Sequence, residues 1–130
     1  MSVKLSNPKG VPMPGGQYSQ AAQVSFNTDL LFISGQGPQN MAGETVGIGN
    51  MTAQAEQVFK NLQAILEAHN SSFAKAIKAT IYITDMSLLA EFNAIRAKYY
   101  GAAKPASALV EVSALVGPDW MLEVEMIALA

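Results

Sequence analysis

Glu123 and Glu125 stand two residues apart in a stretch where they alternate with Leu122, Val124 and Met126. In an extended strand that spacing turns both carboxylates to one face and the apolar side chains to the other. Two like charges so placed repel, and partial burial of one of them would suit it to general acid–base work. The simpler account from spacing alone is a solvent-facing or cross-strand-paired couple on an edge strand. Gly35 closes an apolar run, where a glycine lets backbone N–H groups come close to a bound anion; a plain strand-ending turn is the simpler account there too. The single histidine, His69, falls at the end of a predicted helix, a place where imidazole complements the negative end of the helix dipole. With one histidine in the chain, no Ser-His-Asp arrangement is supported. One His, no Cys and scattered carboxylates give none of the spacings that bind zinc or calcium, so no metal is expected. Gly47 and Gly49 follow a loop and not a strand, which removes the context a dinucleotide fingerprint requires, and no cofactor is expected.

The elements that must carry these residues follow from periodicity. Residues 1–17 hold Pro8, Pro12 and Pro14 with Gly10, Gly15 and Gly16, a density that predicts an extended, irregular lead-in. Residues 18–26 read as a strand, Asn27-Thr28-Asp29 as a turn, and residues 30–34 as a second strand in hairpin with the first. The glycine-containing residues 39–50 form a loop that could act as a lid. From Met51 the pattern turns helical, with Ala55, Val58, Phe59, Leu62, Ile65 and Leu66 on one stripe and Asn70 as a left-handed stop. Residues 76–84 are β-branched and aromatic enough for a strand. Ser87 caps a second helix whose stripe is Leu88, Phe92, Ile95 and Tyr99, and Gly101 ends it. Strands over 107–112 and 121–129 complete a β-β-α-β-α-β-β order. Two amphipathic helices on one face of a mixed sheet are the natural layered solution, and a partner subunit is one way to cover the other face.

Composition bounds the function. The 130 residues suit one domain, 1–130. Half of them are apolar and only 14% are charged, so something other than Lys and Glu covers much of the surface, as a buried oligomer interface would. The net charge of −2, with cations scattered singly, argues against a nucleic-acid partner, which needs a positive patch to displace counterions. No cysteine, no secretory h-region and no run near the ~20 apolar residues that span a bilayer point to a cytoplasmic protein without membrane contact.

Against this background the residues resemble a family. Tyr18-Ser19-Gln20-Ala21, Leu31-Phe32-Ile33-Ser34-Gly35-Gln36, Asn93 with Tyr99-Tyr100-Gly101, Pro105-Ala106, Val110-Glu111-Val112 and Leu122-Glu123-Val124-Glu125-Met126-Ile127-Ala128 occur in the order of the Rid family (YjgF-like; reactive intermediate, or imine, deaminases). No single piece is decisive, but the set spans nearly the whole chain. The resemblance implies an α+β, chorismate-mutase-like fold, a homotrimer whose sheets line a central barrel, and three clefts between subunits for a small metabolite. It implies hydrolysis of reactive enamines and imines such as 2-aminoacrylate to keto acids and ammonia; some relatives were described as ribonucleases or translation inhibitors.

Carried over residue by residue, the resemblance puts Tyr18 at the cleft wall, Ser34 and Gly35 at the substrate and Glu123 on the attacking water. The deaminases read Pro-Ala-Arg-Ser, with the arginine forked onto the substrate carboxylate. Here the chain reads Pro105-Ala106-Ser107-Ala108, so Ser107 takes the arginine's place and becomes a substrate contact with one neutral hydrogen bond in place of a bidentate charged clamp. Lys104 and Arg96 are the nearby cations; Arg96 flanks the helical stripe and is a candidate for the cleft or for solvent, and solvent is the expected place for both. Leu89, Phe92, Leu109 and Trp120 are further candidates for the cleft, Trp120 either closing a pocket or packing against a neighbouring subunit. These residues lead to an imine or enamine hydrolase acting on a substrate without a recognised carboxylate, to a metabolite-binding trimer that has lost the clamp, or, least favoured, to an RNA-directed protein.

Overall fold

The computed structural model describes residues 3–10, 13–25 and 27–130. Four strands form the main sheet: β3 (Leu30–Gln36), β4 (Ala76–Ile83), β5 (Ala106–Glu111) and β6 (Leu122–Leu129), in the order β3-β6-β4-β5. β6 runs antiparallel to both β3 and β4, while β4 and β5 are parallel. The sheet is therefore mixed, and its parallel pair is joined by a helical crossover as such a pair requires. Two short strands, β1 (Val3–Ser6) and β2 (Ala21–Val24), pair antiparallel in a separate ribbon.

Both long helices, α1 (Met51–Ala68) and α2 (Leu89–Tyr100), pack on one face of the sheet. α1 starts where the Asn50 side chain accepts the Ala53 N–H at 3.0 Å, and it stops where Asn70 turns left-handed at φ 55°. Its stripe of Ala55, Val58, Phe59, Leu62 and Leu66 is fully buried. The stripe meets Ile33 of β3, Ala79, Ile81 and Ile83 of β4, and Leu122, Val124 and Met126 of β6 in one core. Phe59 lies at its aromatic centre, with ring centroids 5.4–6.1 Å from those of Phe73, Phe92, Tyr99 and Tyr100. No helix among the described residues is long and apolar enough to cross a membrane.

Several expectations need correction. The strand expected over 18–26 shortens to β2 and does not form a hairpin with β3; it pairs with β1, a strand inside the lead-in expected to be irregular. Phe26 and Pro12 lie outside the described residues. Gly35 does not end its strand, since β3 continues to Gln36 across a bulge. β6 is not an edge strand but lies between β3 and β4. Ser87 does not cap α2. Asp85 accepts the Ser87 N–H at 2.9 Å and starts a single 3-10 turn, Met86–Leu88, that leads into the helix.

The sheet's second face is open. It carries Lys78, Thr80 and Tyr82 of β4, which pair with Ile127, Glu125 and Glu123 of β6. Phe32 projects from β3 on the same face, 69% exposed.

Candidate active site

The residues singled out above fall into two groups, one at the β5 edge of the sheet and one at the β3–β6 pairing. The first lies between β5, α2 and the segment before β2. There Tyr18, Leu89, Arg96, Ser107 and Leu109 line a cleft of about 400 Å³ with Gly15, Gly16 and Asn93. The geometry follows from register. Ser107 and Leu109 pair with Ala79 and Ile81, so they stand on the helix side of β5. The incoming chain is held at the strand's start, where Ser19 bridges to Ala106 and donates its N–H to the Pro105 carbonyl at 3.0 Å. That contact sets Tyr18 beside the cleft.

Of the two places open to it, Arg96 lies in the cleft and not in the favoured solvent. It is 6% exposed and its guanidinium lines the cleft. Nη2 donates to Asn93 Oδ1 at 2.8 Å, one helical turn back, and the guanidinium carbon lies 5.4 Å from the centroid of the Phe92 ring. Burial pulls the guanidinium below its ordinary range, while the nearby Tyr100 hydroxyl acts in the opposite direction. Tyr100 is itself pushed up to about 12 by burial, with Arg96 opposing. Phe92 is wholly buried and forms the floor beneath Arg96, not a wall of the cleft. Lys104 is exposed.

The second group lies on the open face at the β3–β6 pairing. The register shifts between Ile33 and Gln36, and within that bulge the Glu123 carboxylate rests against the Gly35 backbone. A Cβ on Gly35 would stand 2.4 Å from Glu123 Oε2, so only glycine leaves the carboxylate its place. Ser34 lines a hollow of about 340 Å³ on this face, with Phe32, Lys78, Thr80, Glu125 and Ile127. Tyr82 donates its hydroxyl to Glu125 Oε1 at 2.9 Å, a bond that raises the Tyr82 pKa. Glu125 thus has a cross-strand partner, whereas Glu123 is turned toward the bulge.

The two groups cannot meet within one chain. In the order β3-β6-β4-β5, β5 lies two spacings of about 4.8 Å from β6 and three from β3, roughly 10 and 14 Å. Ser107 also stands on the opposite face from Glu123.

Trp120 belongs to neither group. Its indole lies between two glycine backbones, with a Cβ on Gly37 falling 2.4 Å and one on Gly117 falling 2.1 Å from ring atoms. Its N–H donates to Thr45 Oγ1 at 3.1 Å, tying down the 39–50 loop. The Asn40 side chain accepts the N–H groups of Ala42 and Glu44 inside that loop, and Asn61 of α1 donates to the Gly37 and Gln39 carbonyls. None of the loop's residues lines the cleft at β5. Gly37→Ala is expected to destabilise the fold by about 1–3 kcal/mol through overpacking against the rigid ring. Trp120 is the only tryptophan, so a shifted fluorescence maximum and a lower denaturation midpoint would report the change, and unaltered values would contradict this packing.

Asn93, Gly15 and Gly16 were not singled out for the cleft from sequence. The Asn93–Arg96 spacing of three on a helix was the available signal, since such residues are surface neighbours. The glycines read only as loop formers. His69 accounts for itself locally, with Nδ1 2.8 Å from the Ile65 carbonyl at the end of α1.

A model of the family described as endoribonuclease L-PSP matches residues 9–130. A RutC family protein of Pyrococcus horikoshii is 40% identical over 120 residues, 92% of each chain. Protein HMF1 of Saccharomyces cerevisiae is 39% identical over 121 residues, covering 92% of this chain and 89% of its own. Among solved structures, a Rid-family protein of unknown function from Yersinia pestis superposes over the whole of both chains with a TM-score of 0.87 at 30% identity. RidA of an Antarctic Psychrobacter superposes with a TM-score of 0.73 at 32% identity, covering 98% of this chain and 99% of its own.

Proposed function

The chain belongs to the Rid (YjgF-like, endoribonuclease L-PSP) family, and from that premise we propose that it is a hydrolase of small enamines or imines working in a cleft that a second copy of the chain completes. The observation that carries this reading is the separation of the two groups. Tyr18 and Ser107 stand at one edge of the sheet, and Gly35 with the Glu123 carboxylate stands near the other. Copies joined edge to edge around a three-fold axis would bring one chain's β5 cleft to its neighbour's Glu123, and would cover Phe32 and the open face.

In that composite site one water adds to the C=N carbon. Glu123 takes the water's proton and delivers it to nitrogen. The hydroxyl of the resulting carbinolamine then gives up its proton, which Glu123 relays to the amino group; the C–N bond breaks, ammonia leaves with the bonding pair, and a carbonyl remains. Ser107 offers a substrate one neutral hydrogen bond where a guanidinium would offer a charged pair, so hydrolysis of 2-aminoacrylate, a three-carbon substrate dependent on that clamp, is expected to be weak.

The test is complementation. Glu123→Gln and Ser107→Trp, which fills the cleft, are each expected to abolish ammonia release from freshly generated imines. Unfolding and refolding the two together should restore about a quarter of the sites, because random mixing in a closed trimer places one intact half beside the other that often. No recovery, with each variant folded and assembled, would show that the two groups do not share a site. Ligand binding without ammonia release from any imine would favour the metabolite-binding trimer.

A further inference from the structure

Arg96 presents a problem that the hydrolase reading does not solve. Its guanidinium is buried, yet it has no carboxylate within ion-pair distance; among the described residues the only ion pair is Lys98–Glu56. Asn93 takes one of its N–H groups, and its Nε–H is buried without any acceptor. The Phe92 ring beneath it supplies a favourable quadrupole but accepts no in-plane hydrogen bond. A buried cation left unpaired is costly, and so is each buried donor left unmet. The guanidinium borders a cleft of about 400 Å³ that is also lined by the short Ser107 of β5 and by Gly15-Gly16. Space, charge and unmet donors thus coincide. The rest of the lining includes the two leucines, Leu89 on α2 and Leu109 on β5.

We propose that this cleft is an anion site anchored by Arg96, shaped for a small carboxylate with an apolar body. The carboxylate occupies the guanidinium edge that Asn93 leaves free, and the body lies against Leu89 and Leu109. The anchor reaches in from the helix and not from β5, so the anion sits differently from one held at position 107. A volume of about 400 Å³ lies within the roughly 300–1,000 Å³ of ordinary small-molecule sites, well beyond what a three-carbon imine fills. The inference rests on the reading of this cleft as the substrate site, and it assigns the group that holds a substrate there: Arg96 on α2, with Leu89 and Leu109 favouring a branched or longer body over a three-carbon one.

Binding tests it without turnover. The probes are 4-methyl-2-oxopentanoate, pyruvate, and 4-methylpentan-2-one, which keeps the branched body and lacks the carboxylate, each titrated calorimetrically into the assembled protein. The wild type is expected to bind the branched acid at least about tenfold more tightly than either of the others. Arg96→Met should lower that acid-over-ketone preference by about tenfold to a thousandfold, and Arg96→Lys, which keeps the charge but not the fork, should fall between. Because Met removes an unpaired buried charge and keeps the apolar stem, its melting temperature should equal or exceed that of the wild type. An unchanged preference in Arg96→Met overturns the proposal. So does a lower melting temperature with loss of assembly, which would mean that Arg96 pairs with a carboxylate of another copy. Pyruvate binding as tightly as the branched acid would refute the apolar body. Absent ammonia release with the acid preference intact would overturn the hydrolase reading and leave the anchor standing.

Discussion

Glu123→Gln is expected to slow imine hydrolysis by about 10²–10⁴-fold, the usual worth of a positioned acid–base group. The substitution keeps the shape of the side chain and its seat against Gly35, so folding and assembly should be untouched. What it removes is the capacity to take a proton from water and hand it to nitrogen. Gly35→Ala provides an independent route to the same loss with the carboxylate still in the chain. Its new Cβ would stand 2.4 Å from Glu123 Oε2, and the flexible end of the glutamate can move away at little cost in stability. The predicted signature is low kcat in both variants with thermal midpoints close to wild type. Wild-type turnover in Glu123→Gln would transfer the proton relay to another group, with Glu125 the neighbour to test next.

The largest loss of stability is expected from Phe59→Ala, about 3–5 kcal/mol by the combined loss of transfer energy and the cavity left behind. Phe59 is fully buried and touches rings from α2 and from the turn before β4. It stacks on Tyr99 at 5.4 Å and meets Tyr100 edge-on at 5.7 Å, so its removal strips several aromatic contacts at once. Against a total stability of about 5–15 kcal/mol this is a large fraction. The melting temperature should fall by on the order of 10–20 °C. Phe59→Leu, which keeps most of the volume, should cost far less. Equal losses for Ala and Leu would mean that the aromatic cluster, not the filled space, holds α1 to α2.

The parts of this architecture that rest on local repetition were legible in the chain. The stripe from Ala55 to Leu66 declared α1, and Asn70 and Gly101 marked the helix ends, because a left-handed residue leaves a compositional trace. Pairing partners left none. The run from Leu30 suited a hairpin with the preceding strand as well as it suited its true partner, β6, and nothing local distinguishes a partner nearby from one at the far end of the chain. The same blindness made β6 look like an edge. Glu123 and Glu125 on alternate positions resemble a solvated margin, whereas they stand on the open face of a central strand. Tyr18, Ser107, Leu89 and Leu109 were named for the cleft by family resemblance, and the structure brings them together. Arg96 was left between cleft and solvent, with solvent favoured, because a cation beside an amphipathic stripe usually faces water. Its burial depends on Phe92 below and Gly16 beside it, a tertiary arrangement that helical spacing does not encode.

The position of β6 also dictates when this chain can become a protein. Of the four strands of the sheet, β6 is synthesised last although it is an inner one, and Leu30 must wait for Leu129. Until then β3 lacks its neighbour and both helices lack much of the floor they pack on, so α1 and α2 emerge from the ribosome with their apolar faces uncovered. Closing such distant pairings makes folding slow in comparison with a helical bundle of equal size. It also exposes the nascent chain to aggregation. A chain halted a few residues before Leu122 would lack the strand that joins β3 to β4.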